Sequence, residues 1–164
     1  MELNKLIRDA KKDDLLSLEI LADQVRKNMS QEGLKQWIGN YPNYQHFVKD
    51  LLDKGLFVYE LSGEVAASIS LLPENDLPYQ EIEWESKHAL VIHRIMVNPK
   101  YQHQGIAKQL INYALDKAKS EGYDAIKIDT HPNNLKMQKM LEGFNFIYKG
   151  YLESINRLAY ELML

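Results

Sequence analysis

The stretch "ALVIHRIMVNPKYQHQGIAKQLINYALDKAKSEG", residues 89–122, decides how this chain is read. From Ala89 to Val97 every position is apolar except His93 and Arg94, the composition of a strand covered on both faces. Asn98-Pro99 closes it. Beyond Gly105, the residues Ile106, Leu110, Ile111, Ala114, Leu115 and Ala118 recur at helical spacing with Lys108, Asn112, Asp116, Lys117 and Lys119 between them. This predicts an amphipathic helix ending at Gly122. Between strand and helix lies "YQHQGIA", Tyr101 to Ala107. Its glycine either relieves a tight strand-to-helix turn or lets backbone amides at a helix N-terminus wrap an anion, and these residues alone leave both readings open.

A chain of 164 residues is long enough to bury one core and short for two, so a single domain over residues 1–164 is expected. With 20 Lys+Arg against 23 Asp+Glu and no basic stripe, neither nucleic acid nor a membrane surface is an expected partner. The absence of cysteine removes disulfides, thiolate catalysis and cysteine metal sites, and the histidines show no zinc spacing, so no metal is expected. No stretch is apolar over the roughly 18 residues a membrane span needs, and no signal-peptide core opens the chain. A cytoplasmic location is the resulting expectation.

Outward from the central stretch, "ELNKLIR" reads as a first strand, followed by a helix carrying Leu15, Leu18, Leu21, Ala22 and Val25 with Asp13 or Asp14 at its cap. Helices are predicted near "QEGLKQWI" and "NYQHFVKDLLDK". "GLFVYELSGEVAASISLL" is a hairpin turning at Ser62-Gly63. Pro73 to Lys87, without a clean period, is an inserted loop. Downstream, "DAIKIDT" is a strand, "HPNN" a turn, "LKMQKMLEG" a short helix, and "FIYKGYL" with "RLAYELML" a closing pair of strands. Strand, long helix, strand, short helix is an α/β crossover, and such sheets bind ligands beyond the C-terminal ends of their strands.

These residues, in this order, resemble the GNAT superfamily of acyl-CoA-dependent N-acetyltransferases. The family's pyrophosphate loop reads Arg or Gln, two residues, Gly, one residue, Gly or Ala; Gln102, Gly105 and Ala107 fit it. Val97-Asn98-Pro99 matches the Val-x-Pro that precedes the loop. Asn134, Met137, Met140, Leu141 and Asn145-Phe146 correspond to the asparagine, the apolar pair and the "GF" that follow the next strand. The match is densest over residues 88–150. It implies an α/β fold of the GNAT type, a central mixed sheet of about six to seven strands flanked by about four helices. It also implies acetyl-CoA as cosubstrate and an amine of a small molecule or peptide as acceptor. The CoA contacts it implies are Ile95, Met96 and Val97 on the strand, Gln102, His103, Gln104, Gly105, Ile106, Ala107 and Lys108 at the loop, and Asn134, Met137 and Leu141 beyond.

Two departures stand out. Leu141 occupies the place where many family members carry a tyrosine that protonates the departing thiolate, and leucine cannot donate a proton. Asn145 replaces a glycine but also tolerates the left-handed backbone that ends a helix. For the base, His93 is placed by strand alternation on one face with Val91, Ile95 and Val97, near the acceptor position the resemblance implies; the same residue type also serves as a hydrogen-bonded core histidine. Arg94, on the other face, is expected to pair with a carboxylate. His131 and Asp129 either line the cleft or cap the turn at Pro132. Glu83 and Glu85, in an acidic run with Glu74, Asp76 and Glu81, either draw a cationic amine and help deprotonate it or form a solvated edge. Tyr148 and Tyr151 are candidate substitutes for the missing acid. Trp84, with Trp37, Tyr41 and Tyr44, is a candidate wall of the acceptor pocket or part of the core. The other class of function is a CoA-binding sensor with little turnover, and the final strands leave an edge open to a homodimer.

Overall fold

Seven strands and four helices make up residues 5–164, the part of the chain that the computed structural model describes, together with short 3-10 turns and connecting segments. They are β1 (Lys5–Asp9), α1 (Leu15–Gln31), α2 (Tyr44–Leu52), β2 (Leu56–Leu61), β3 (Glu64–Pro73), β4 (Ala89–Val97), α3 (Ile106–Ser120), β5 (Ala125–Thr130), α4 (Leu135–Gly143), β6 (Ile147–Leu152) and β7 (Arg157–Met163). The expected first strand is present from Lys5 on; its Glu2–Asn4 part lies outside the described residues. The strands form one mixed sheet in the order β1-β2-β3-β4-β5-β7-β6, with β4 and β5 parallel across α3 and antiparallel pairing in β1–β2, β2–β3, β5–β7 and β7–β6. No helix among the described residues is long and apolar enough to cross a membrane.

Two compact units share this chain discontinuously. The first holds the described residues up to Leu72 together with His93–Tyr113; the second holds Pro73–Ile92 and Ala114–Leu164. In the first, Leu15, Leu18, Leu21 and Ala22 of α1 and Phe47 of α2 pack on Leu56 and Val58 of β2 and Met96 of β4. Burial of each such leucine contributes roughly 1.5–3 kcal/mol. On α3, the Tyr113 ring tilts against Phe57 at 5.3 Å, and Gln109 accepts a 3.0 Å hydrogen bond from the Tyr59 hydroxyl. The second unit centres on Tyr79, Val91, Leu152 and Ala159, with Ile82 and Trp84 packed against them.

Two local expectations need correction. No helix forms over "QEGLKQWI". Instead α1 runs on to Gln31 and stops where Gly33 turns left-handed (φ 76°). The Gly33 N–H bonds Ser30 O at 3.0 Å and the Leu34 N–H bonds Met29 O at 2.8 Å, the paired closure that ends a helix. Trp37 is buried all the same, from an irregular segment. Nor does Asp13 or Asp14 cap the first turn of α1 through its side chain. The Asp14 carboxylate reaches back to the Lys11 N–H (2.7 Å) and pairs with Arg8 (2.8 Å), so its pKa is lowered first by the hydrogen bond from Arg8.

Candidate functional site

The backbone between β4 and α3 is shaped by two left-handed residues, His103 (φ 65°) and Gly105 (φ 78°), flanking Gln104. Upstream, Asn98 ties the stretch down. Its N–H bonds Ala66 O of β3 at 2.8 Å, its Oδ1 accepts the Lys100 N–H at 3.0 Å, and its carbonyl accepts the Tyr101 N–H at 2.8 Å. Downstream, a helical hydrogen bond runs from the Gln109 N–H to Gly105 O at 3.1 Å. The N–H groups of Ile106, Ala107 and Lys108 therefore belong to the helix's first turn, which has no carbonyl of its own to offer them. A Cβ built on Gly105 meets no atom within 4 Å, so the glycine is demanded by its φ and the space in front of it is open. An αL residue beside a helix N-terminus aims successive N–H groups into one concavity with a positive field, a form that fits a phosphate. His103, Gln104, Gly105 and Lys108 are exposed, Gln102 and Ala107 half-buried, and Ile106 anchors the first turn in the core.

In the middle of β4, Arg94 adopts a left-handed backbone (φ 47°). For a residue other than glycine this costs on the order of 1–2 kcal/mol, and it interrupts the alternation that groups His93 with Ile95 and Val97. Only Val91 and His93 lie in an uninterrupted stretch. Met96 is buried among α1, α2 and β2, which leaves only its backbone to face a ligand; Ile95 and Val97 are half-buried. The expected carboxylate partner of Arg94 is Asp50 of α2. Nε and Nη2 donate to its two oxygens at 2.7 and 2.6 Å, the Ser70 hydroxyl of β3 donates to the same carboxylate at 2.6 Å, and Nη1 donates to the Tyr41 hydroxyl at 3.1 Å. Burial opposes the Arg94 charge, but Asp50 outweighs it and holds the guanidinium pKa above its ordinary value.

The irregular segment before α2 is fastened to the same place. Arg26 of α1 donates to the carbonyls of Tyr41 and Pro42 at 3.1 Å each, and the rings of Trp37 and His46 stand edge-on to Tyr41 at 6.4 and 4.7 Å. Trp37 is thus core, while Tyr41 and Tyr44 remain exposed. His46 Nδ1 accepts the Asn43 N–H at 3.1 Å, so the imidazole is neutral with its proton on Nε2. Burial, then the Arg94 charge, lowers its pKa. The unfolded chain consequently takes up this proton at a higher pH than the folded one, and stability falls as pH drops below the ordinary histidine value of about 6.5. His46→Asn, whose Oδ1 stands in for Nδ1 without titrating, is expected to lose less urea stability than wild type between pH 7.5 and 5.5; equal losses would refute this.

In the second unit, Asn134 caps α4, its Oδ1 accepting the Met137 N–H at 3.1 Å, and Gln138 braces the preceding turn through Pro132 O at 2.8 Å. His131 Nδ1 takes the Asn133 N–H at 3.0 Å, the turn-capping role. Leu141 is fully buried, and Met137 is half-buried. Asn145 is left-handed (φ 69°). Its N–H bonds Glu142 O at 2.9 Å while the Phe146 N–H bonds Leu141 O at 3.0 Å, so asparagine does end α4 as a glycine would. Tyr148 lies exposed on β6, edge-on to Tyr160 at 5.7 Å.

The insert over residues 73–87 is fastened down rather than loose. Tyr79, in a short 3-10 turn, donates to Asp129 at 2.7 Å and stacks on Trp84 at 5.2 Å. The buried ammonium of Lys127 lies 4.2 Å from the Trp84 ring centre, its pKa lowered by burial. The N–H groups of Glu85 and Ser86 both bond the buried Glu161 carboxylate at 3.0 Å, and Glu81 accepts the Ser154 hydroxyl. Part of the acidic run is therefore anchoring: Glu81 is tied to Ser154, and the Glu85 side chain is 3.6 Å from Lys149, while Glu83 is exposed. His93 and the Gly105 loop belong to the first unit, and Glu83, Glu85, Asn134, Met137, Leu141 and Tyr148 to the second. Asp50, Tyr79 and Lys127 are not among the residues the sequence picks out for the site, because each gains meaning only from a partner distant in the chain or from burial.

The chain is similar to known proteins along most of its length. The family model described as "Acetyltransferase (GNAT) family" matches residues 22–146. An uncharacterised N-acetyltransferase of the pepI 3′ region from Lactobacillus delbrueckii subsp. lactis is 28% identical over 106 residues, which are 63% of this chain and 59% of that protein. The chain thus spans less than two thirds of that relative's length. A GNAT-family acetyltransferase of Streptococcus agalactiae superposes with a TM-score of 0.85 at 24% identity, covering 98% of this chain and 95% of the other. One from Listeria monocytogenes gives 0.83 at 19%, covering 98% and 95%. The protein yncA of Salmonella typhimurium, solved with its cofactor acetyl-CoA, gives 0.71 at 14%, covering 98% and 94%. At these identities the structural likeness speaks for the fold.

Proposed function

Because the chain belongs to the acetyltransferase (GNAT) family, whose model covers residues 22–146, we propose that it moves an acetyl group from acetyl-CoA to a primary amine of a small molecule or peptide by direct attack. The observation that carries this reading is the open space at Gly105: a left-handed glycine in front of a helix N-terminus, with no protein atom where a side chain would stand. The N–H groups from Gln104 to Ala107 would hold the pyrophosphate, with Gln102, His103 and Lys108 around them. When bound, acetyl-CoA supplies a thioester whose carbonyl carbon is the electrophile.

The chain's own residues do the rest. His93 takes a proton from the acceptor ammonium, and Glu83 or Glu85 is a secondary candidate for that step. A β4 N–H near Val97 donates to the carbonyl oxygen as negative charge develops there. Ile95 and Met96 contribute strand backbone beside it, and Asn134, Met137 and Leu141 are the further cofactor contacts of this proposal. The amine lone pair forms the C–N bond, the nitrogen gives up its second proton to solvent, the C–S bond breaks, and the thiolate leaves with the electron pair. A thiol with an ordinary pKa of about 8.5 departs tolerably as thiolate near neutral pH, so a leucine at position 141 slows the reaction without forbidding it. Tyr148 is the candidate that would return a proton to it.

The test is thiol release from acetyl-CoA with a panel of polyamines, amino acids, aminoglycosides and short peptides. Release in proportion to acetylated acceptor is expected. Tight acetyl-CoA binding without release for any acceptor would favour a sensor of acyl-CoA over an enzyme.

A further inference from the structure

Arg94 presents a problem that its neighbours solve. Arginine gains nothing locally from a left-handed backbone, unlike asparagine or aspartate, whose short side chains bond the adjacent chain. Yet Arg94 holds φ 47° in the middle of a strand. All three of its guanidinium nitrogens are committed, Nε and Nη2 to Asp50 at 2.7 and 2.6 Å and Nη1 to the Tyr41 hydroxyl at 3.1 Å. Asp50 is itself held on several sides. Its side chain is 1% exposed, it accepts Ser70 Oγ at 2.6 Å, its carbonyl accepts the Gly55 N–H at 2.9 Å, and its helix is rooted by the fully buried Phe47.

Stability alone does not call for such a pair. Well-packed apolar side chains of similar volume often fill the place of a buried ion pair at no loss. What they do not provide is direction, because a planar fork bonded at two points to a fixed carboxylate admits one orientation. We propose that Asp50 is a positioning residue: through its two-pointed grip on Arg94 it holds the left-handed kink of β4, and the kink sets the aim of the His93 side chain and of the Ile95–Val97 backbone. The same grip seats Tyr41, so the strand and the irregular segment that Arg26 also fastens share one anchor. The inference rests on the assignment of β4 as the strand that carries the base and the carbonyl-binding N–H.

Three variants of the full chain test it: Asp50→Asn, and Asp50→Asn combined with Arg94→Gly or with Arg94→Ala. Both double variants remove the charges together, and they differ only in whether the backbone at position 94 adopts positive φ without strain. Amide hydrogen exchange is read at residues 93–97. In Asp50→Asn exchange there is expected to rise about tenfold more than in α3, to fall back toward wild type in the glycine double and to stay high in the alanine double. For acetyl transfer to the best amine, kcat in the alanine double is expected about tenfold below the glycine double with KM for acetyl-CoA within about twofold, as misplacement of a catalytic group predicts. Glycine and alanine doubles that exchange alike, or an Asp50→Asn protein whose β4 exchange is unchanged, overturn the proposal; so does a shifted exchange with kcat untouched. Should Asp50→Asn fail to fold, the doubles carry the comparison. Wild-type protein that acetylates no amine refutes the transferase reading, while the exchange comparison still decides whether Asp50 holds the kink.

Discussion

Gly105→Glu is expected to lower acetyl-CoA affinity at least about a hundredfold, which is about 2.8 kcal/mol, while the protein stays folded. Two effects act at this position and they are separable. The first is conformational: at φ 78° any residue with a Cβ is strained, by on the order of 1–2 kcal/mol. The second is electrostatic: a carboxylate placed in the open space before α3 takes the position an anion would occupy and turns the favourable field of the first-turn N–H groups to its own use. Gly105→Ala carries the strain without the charge, so it is expected to weaken binding about tenfold or less and to lower the melting temperature at least as much as the glutamate, whose charge the helix N-terminus stabilises. Titration calorimetry with acetyl-CoA and with CoA, beside thermal melts, separates the terms. Unchanged affinity in Gly105→Glu overturns the assignment of the loop, whatever the melts show.

What the sequence made legible follows the range of the forces involved. The strand from Ala89, the helix from Ile106 and the hairpin at Ser62-Gly63 were readable because their signals are local: period, composition and a glycine at the turn. The end of α4 was readable for the same reason, since Asn145 is one of the few residues besides glycine that tolerates the left-handed backbone observed there. No helix forms over "QEGLKQWI", although its apolar residues fit a helical face, because Gly33 closes α1 and Trp37 is buried from an irregular segment. Contacts between distant residues left no such trace. Nothing near position 94 announces Asp50 as its partner, and nothing in the acidic insert announces that Tyr79 will bond Asp129 or that Lys127 will lie against Trp84. The least visible feature was the one that alters the site most: a left-handed arginine breaks the strand alternation used to place His93, and arginine is a residue type for which that conformation is not anticipated.

His93→Gln is expected to reduce kcat about 10²–10⁴-fold while leaving acetyl-CoA affinity within about twofold, because removal of a general base typically costs that much and the residue stands apart in sequence from the phosphate loop. The pH profile distinguishes a base from a histidine that merely packs. With a working base, the rate rises with pH until the base is deprotonated and then levels. Without it, the enzyme depends on acceptor molecules that arrive already uncharged, and the rate keeps climbing through pH 9, about tenfold per pH unit, for an amine titrating near 10.4. The wild-type and variant curves therefore converge at high pH. A packing histidine would instead lower the rate by one factor at every pH, together with the melting temperature. Glutamine keeps a polar side chain of similar length, so a loss that persists in His93→Gln belongs to the proton and not to the volume. If kcat and the shape of the profile are both unchanged, the base is not His93, and Glu83 or Glu85 becomes the residue to replace next. Comparing Asp50→Asn in the same assay then separates a missing base from a misaimed one: a misaimed His93 still gives a curve that levels, at a lower plateau.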